Sequence, residues 1–213
     1  MTSIGILGAG RVGTNLARAL AAAGHHVTVG LREDEKASTP PAEGGVIRYA
    51  DHATTALTTD VVINATPGDS ALERLTALRP ELEDKILIDV SNATIDAADG
   101  LPGDLCYPGN SLAEQLQAAL PGTRIVKTLN TMLFPVMTAP AALATPPTAY
   151  LSGNDEQAKK TVTALLSDLG WKHDWIEDLG DIATARAAEA MILTVPHVLR
   201  RNGFTPFAIS LTR

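Results

Sequence analysis

The chain has 213 residues, 17 Lys and Arg against 24 Asp and Glu, a formal net charge of −7, one cysteine and a 45% hydrophobic share. That length suits one large α/β domain or one domain with a small appendage, and the negative balance argues against a broad nucleic-acid surface. Cys106 has no partner for an internal disulfide, and no stretch approaches about twenty uninterrupted apolar residues, so the expectation is a cytoplasmic chain without leader or membrane span.

The first apolar run, residues 4–7, ends in Gly8-Ala9-Gly10-Arg11-Val12-Gly13. A helical pattern follows over 12–23, with Leu16, Ala19, Leu20 and Ala23 on one stripe and Gly24 at its stop. Val27, Thr28 and Val29 make a second strand, completing a β-turn-α-β unit. Further strands are expected at 46–47, 61–63, 86–88 and 125–126, with helices over 69–78 and 111–120. This alternation predicts a Rossmann-type doubly wound α/β fold with a mainly parallel sheet. The proline-rich stretch 135–147 reads as a boundary between a dinucleotide-binding domain, 1–134, and a small C-terminal α/β region, 135–213. That region is expected to carry strands at 149–151 and 175–176, a helix at 155–169, and a long final helix over 181–199 with Pro196 as its kink or end. It would pack on the first domain to form an acceptor cleft.

A glycine motif alone is weak evidence; this one leaves a strand, opens a helix and leads to a second strand, which is the context a dinucleotide site requires. Gly8 permits the tight turn, Gly10 the approach of a pyrophosphate, and Gly13 the close packing of helix on sheet. Ala9, Arg11 and Val12 complete the turn, with the phosphates on the positive end of the helix. An acidic residue ending the second strand would hold the ribose hydroxyls of NAD, but the chain has Gly30, Leu31 and Arg32 there. A guanidinium can bind a 2′-phosphate bidentately, so NADP(H) is the expected cofactor. Lys36 is either a second phosphate ligand or a solvated charge diluted by the acidic residues 33–35. Thr66 and Pro67 follow the strand at 61–63; Val90, Ser91 and Asn92 follow that at 86–88; Asn130 and Thr131 follow that at 125–126. Loops at these strand ends surround the ligand in this architecture.

These segments, with Asp178-Leu179-Gly180 and Ala185-Arg186-Ala187-Ala188-Glu189, make the chain resemble the NADPH-dependent coenzyme F420 reductases. It is also similar to the cytoplasmic oxidoreductase domain of the six-transmembrane epithelial antigen of prostate metalloreductases. The resemblance implies a dinucleotide on residues 8–13, Arg32 at the 2′-phosphate, the nicotinamide near Thr66, Pro67, Val90, Ser91, Asn130 and Thr131, and a deazaflavin (coenzyme F420) or flavin as hydride acceptor. One departure stands out: the family usually has Gly-Ser-Arg where this chain has Gly30-Leu31-Arg32, which removes a hydroxyl contact to the phosphate.

Hydride transfer between two rings needs orientation more than acid–base help, and no compact triad stands out. Lys127 is a candidate general acid or a loop anchor, and His197 a weak candidate near the end of the last helix. His25 and His26 read as surface residues. Arg186 and Glu189 are three apart on one helical face and read as an ion pair that fastens that helix. No zinc-type ligand spacing occurs, so no metal is expected. Two other readings remain: an NADPH-dependent reductase of a small imine or carbonyl, and a non-catalytic NADP(H)-binding sensor. The expected assembly is a homodimer acting on a small-molecule hydride acceptor or donor, without nucleic acid or membrane.

Overall fold

The computed structural model describes residues 1–32 and 46–212. In chain order the elements are β1 (Ser3–Leu7), α1 (Arg11–Ala22), β2 (His26–Leu31), β3 (Ile47–Asp51), α2 (His52–Leu57), β4 (Val61–Asn64), α3 (Ala71–Ala77), α4 (Arg79–Leu82) and β5 (Ile86–Asp89). A hairpin, β6 (Thr94–Asp96) and β7 (Pro102–Leu105), precedes α5 (Leu112–Ala119), β8 (Arg124–Lys127) and α6 (Phe134–Thr138). β9 (Ala149–Gly153), α7 (Glu156–Asp168), β10 (Ile176–Gly180), α8 (Ala185–Ala190) and α9 (Val195–Asn202) complete the chain.

Period-two alternation assigns each strand residue to one sheet face. Ile4, Ile6, Val61, Ile63, Ile86, Ile88 and Val126 enter one core with Leu16 and Leu20 of α1 and Val162, Leu165 and Leu166 of α7. Leu7, Val62, Leu87 and Ile125 point the other way, into a second core with Leu75, Leu82, Leu112 and Leu116. The sheet is therefore covered on both faces, which is why its strands are apolar throughout.

The strand order is β10-β9-β8-β5-β4-β1-β2-β3. Its pairs are parallel except β8 with β9, where Val126 faces Gly153 and Lys127 faces Ser152. From β3 to β8 this is the dinucleotide-binding order, with its switch point between β1 and β4. The boundary expected at residue 135 is not a break in the sheet. β9 and β10 extend the same sheet by hydrogen bonding, so the C-terminal region continues the first domain rather than sitting on it.

Two other expectations change. His25 is buried, its Nδ1 accepting from the Thr2 N–H at 3.2 Å and its Nε2 lying 3.1 Å from Asp168 of α7. His26 is exposed as expected. The last helix is composite: 3-10 turns at Ile182–Thr184 and Met191–Thr194 flank α8, and Pro196 sits in the first turn of α9. This run, Ile182–Asn202, reaches a mean hydropathy of 1.2 and is, by length and composition only, long and apolar enough to cross a membrane. Here it docks on the sheet through Ile182, Ala185, Ala188 and Glu189. Beyond it the tail turns back antiparallel along residues 131–133: the Leu133 N–H donates to Phe207 O at 3.0 Å and the Ile209 N–H to Thr131 O at 2.9 Å.

Candidate functional site

The glycine turn is closed at two of its positions and open at the third. Gly8 has φ +107, a region that favours glycine, and a Cβ there would stand 2.7 Å from the Ala65 carbonyl oxygen. A Cβ on Gly13 would stand 1.9 Å from the Gly8 carbonyl oxygen. Nothing lies within 4 Å of where a Gly10 Cβ would be. α1 starts there with no side-chain cap and no acidic residue in its first turn. Its first N–H groups and positive dipole end are thus available to an anion, and the space beside Gly10 admits one.

A cleft of about 390 Å³ opens over the turn. Gly8, Ala9, Gly10, Arg11, Val12, Arg32, Thr66 and Pro67 line it, as the sequence led us to expect, together with His52 and Arg74. No Asp or Glu is among the described lining residues. Asp51, at the end of the neighbouring strand, caps α2: its Oδ1 accepts from the Thr54 N–H at 2.7 Å and its Oδ2 from the Thr54 hydroxyl at 2.7 Å. The Thr54 N–H and then its hydroxyl hold that carboxyl below its ordinary range. Leu31 packs against the core and is not a lining residue. Lys36 lies outside the described residues.

The loops at the other strand ends are joined by a hydrogen-bond relay. The Arg74 guanidinium donates to the Thr66 hydroxyl at 2.9 Å and to Ser70 at 2.9 Å, and the Thr66 hydroxyl donates to Asn64 Oδ1 at 2.6 Å. Asn64 Nδ2 donates to Asp89 Oδ1 at 2.9 Å, and Ser91 donates to the same oxygen from its hydroxyl at 2.7 Å. Asn92 and Asn130 tie two loops together: Asn92 Nδ2 donates to the Asn130 carbonyl at 2.8 Å, and Asn130 Nδ2 to Asn92 Oδ1 at 2.9 Å. Leu129, buried with φ +59, forces the β8 loop through a region that costs a non-glycine residue energy. Next to it Thr128 Oγ1, Asn130 Oδ1 and Thr131 Oγ1 are buried without a hydrogen-bond partner. Val90, by contrast, belongs to the core.

Lys127 closes the relay. Its Nζ is 2.7 Å from Asp89 Oδ2 and 2.9 Å from Glu189 Oε1, and it also donates to the Ser91 carbonyl. Burial pulls its pKa down, but Asp89 and then Glu189 raise it by more, so the ammonium stays charged. Lys127 is fully buried and held by two carboxylates, an arrangement that suits the loop-anchor reading. His197 is exposed on α9, outside the nucleotide cleft. Arg186 and Glu189 do not pair with each other. Arg186 binds Glu114 of α5 with Nε 3.3 Å from Oε2, while Glu189 also accepts from the Leu112 and Ala113 N–H groups at 2.9 and 3.2 Å. Both residues fasten the last helix, each to a different place.

Sequence reading missed Arg74 and His52 in the cleft and the reach of Glu189. Arg74 had one usable signal, its place eight residues after Thr66 on the helix that leaves the β4 loop.

Residues 3–93 match the family described as NADP oxidoreductase, coenzyme F420-dependent. A candidate F420-dependent NADP-reductase from Arthrobacter sp. FB24 has a crystal structure that is 36% identical, covers 100% of both chains and superposes with a TM-score of 0.88. Rat metalloreductase STEAP3 is 28% identical over 194 residues, covering 89% of this chain and 36% of that protein, so this chain spans little more than a third of that relative. Pyrroline carboxylate reductase of Plasmodium falciparum with NADP bound is 17% identical, covers 96% of this chain and 71% of that one, and shares the fold with a TM-score of 0.59.

Two predictions follow from the turn and the anchor. Gly10→Val is expected to leave the melting temperature unchanged and remove dinucleotide binding, whereas Gly13→Ala should cost about 1–3 kcal/mol of stability by overpacking. Thermal melts with NADPH titration separate them, and a Gly10→Val protein with normal affinity refutes the phosphate placement. Lys127→Met strands two buried carboxylates and is expected to cost about 3–5 kcal/mol, a fall of at least about 6 °C in Tm for a chain of this size. An unchanged melt would show the network to be dispensable.

Proposed function

The chain belongs to the family of coenzyme F420-dependent NADP oxidoreductases, and from that membership we propose that it passes a hydride between NADP(H) and a deazaflavin or flavin ring. The observation that carries the reading is the state of Lys127. A reductase of imines or carbonyls needs a proton donor at the substrate, and this lysine is held by Asp89 and Glu189 instead. At the β5 and β8 ends, the side chains expected beside the nicotinamide are, apart from the core residue Val90, amides and hydroxyls. Such groups orient a ring, and orientation supplies most of the catalysis when a hydride moves directly from ring to ring.

NADPH, when bound, supplies that hydride; the protein's residues hold it. The turn from Gly8 to Val12 and the start of α1 take the pyrophosphate, and Arg32 takes the 2′-phosphate. Thr66, fixed by Asn64 and Arg74, supports the adjoining loop. Asn130 Oδ1 and Thr131 Oγ1, buried and unpartnered, are acceptors of the kind a carboxamide N–H₂ requires. The proposal includes a cytoplasmic homodimer as the working form.

Stopped-flow absorbance with NADPH and, in turn, oxidised F420, FMN, FAD and no acceptor tests the reading. Fast NADPH oxidation with one ring acceptor is the expected result; oxidation only with an imine or ketone would overturn it. Arg32→Glu is expected to reduce the preference for NADPH over NADH by about 10- to 100-fold, the worth of a charge-assisted contact. A preserved preference would remove Arg32 from the 2′-phosphate.

A further inference from the structure

A second cleft of about 370 Å³ adjoins the first and shares Ala9, Gly10 and Arg11 with it. It runs along the outer side of α1, where Asn15, Arg18 and Phe134 line it. Arg11 and Arg18 are seven residues apart, hence about 10 Å apart along one helical face. Both are exposed. No carboxylate lines this cleft among the described residues, and neither guanidinium forms an ion pair there. In a chain with net charge −7, two uncompensated arginines on one groove form a local anion site.

The aromatic neighbours add a second feature. The Arg11 Cζ lies 5.7 Å from the centre of the Phe134 ring and 5.6 Å from that of Phe204. These rings are 6.4 Å apart and tilted by 39°. Phe204 comes from the returning C-terminal tail and is 57% exposed. Asn15 Nδ2 donates to the Phe134 carbonyl at 2.8 Å, which fixes the start of α6 against α1. Phe134 in turn follows Thr131 by three residues. The groove thus brings Arg11, Arg18 and Phe134 together on the outer side of α1, with the Phe204 ring beside Arg11.

We propose that this groove is the subsite for the anionic side chain of the ring acceptor, a phosphate- or carboxylate-bearing chain extended along α1. The span from Arg11 to Arg18 suits an extended polyanion better than a single compact ion. Arg11 stands between the two clefts and offsets the repulsion between the dinucleotide phosphates and the acceptor's charges. With the ring placed at the turn that the two clefts share, its tail follows the arginines past Phe134. This inference rests on the ring-acceptor reading and names the part of the acceptor that the protein grips.

The test compares coenzyme F420, with its phosphate and glutamate tail, against the same deazaflavin bearing only its ribityl chain. Dissociation constants are measured by fluorescence titration, so the result does not depend on turnover. The wild-type protein is expected to bind the tailed form about tenfold or more tightly, with the ratio falling as salt is raised. Arg18→Glu should bring the ratio close to one, and Arg18→Lys should restore most of it. Arg79→Glu, the same charge change on exposed α4, should leave it intact. Equal binding of the two forms by the wild type, or a ratio that Arg18→Glu does not change, overturns the subsite. A normal tail preference in a protein that reduces neither form would instead spare the groove and count against the hydride-transfer reading. FMN against riboflavin repeats the comparison for a flavin.

Discussion

A positive charge buried between two negative ones constrains the rest of the molecule. Lys127, Asp89 and Glu189 are 1%, 0% and 4% exposed. Removing ions from water costs several kcal/mol each, and attraction between them offsets that only when their remaining hydrogen-bonding capacity is used. Here it is used. Asp89 also accepts from Asn64 and Ser91, and Lys127 also reaches the Ser91 carbonyl. The surplus negative charge, two carboxylates against one ammonium, is met by the Leu112 and Ala113 N–H groups at the start of α5. Four elements must be in register for this to close: β5, β8, α5 and α8. The docking of the C-terminal helix and the position of the Ser91–Asn92 loop are thus set by one charge cluster, which need not touch a ligand to matter for the site.

The same separation of roles governs the surface. The chain is acidic as a whole, yet the described walls of the two clefts over the glycine turn carry Arg11, Arg18, Arg32 and Arg74 and no carboxylate. Clefts with low-dielectric walls focus such a field, so a modest number of guanidiniums suffices to draw polyanions against a negative background. The acidic partners sit elsewhere: Glu114 holds Arg186, Asp99 holds Arg200, and Glu156 and Asp178 hold Lys159. Cations that pin elements together are neutralised in ion pairs, whereas Arg11, Arg18, Arg32 and Arg74 line the two clefts.

How much of this was legible in the sequence depends on how local each determinant is. The strand runs at 4–7, 61–63, 86–88 and 125–126 were readable because two-sided burial writes itself as short unbroken apolar stretches. The glycine turn was readable because Gly8 and Gly13 answer to close backbone contacts and Gly10 to open space within one β-turn-α unit. His25 was misread because its partner, Asp168, lies 143 residues away and leaves no local trace. Arg186 and Glu189 were rightly placed on one helix and wrongly paired, since spacing along a helix says nothing about the charges that arrive from β8 and α5. The direction of β9 is not encoded in its short Ala149–Gly153 run, so the antiparallel continuation of the sheet beyond the proline-rich stretch was not readable. Arg74 escaped because the α3 pattern was read for its apolar face, and the tail after residue 203 escaped because it has no period to read.

Under the proposed NADP(H) reading, tertiary placement can offset a local loss at the 2′-phosphate. Leu31 stands where the family resemblance led to the expectation of a serine hydroxyl, and its side chain packs against the core instead of lining the cleft. In that reading, charge from across the cleft stands in for the polar contact missing beside β2. Arg74 reaches the same space from α3, and its two bonds to Thr66 and Ser70 fix the guanidinium before any ligand arrives. A guanidinium held in place loses less conformational freedom on binding than a free side chain, and its remaining N–H groups stay available. Arg32 and Arg74 thus place positive charge on the cleft from the end of β2 and from α3, which are separate in sequence and meet only because β1 lies between β2 and β4 in the sheet. Loss of one hydroxyl in such a cleft lowers the number of contacts to a phosphate without altering the sign of the field that selects it.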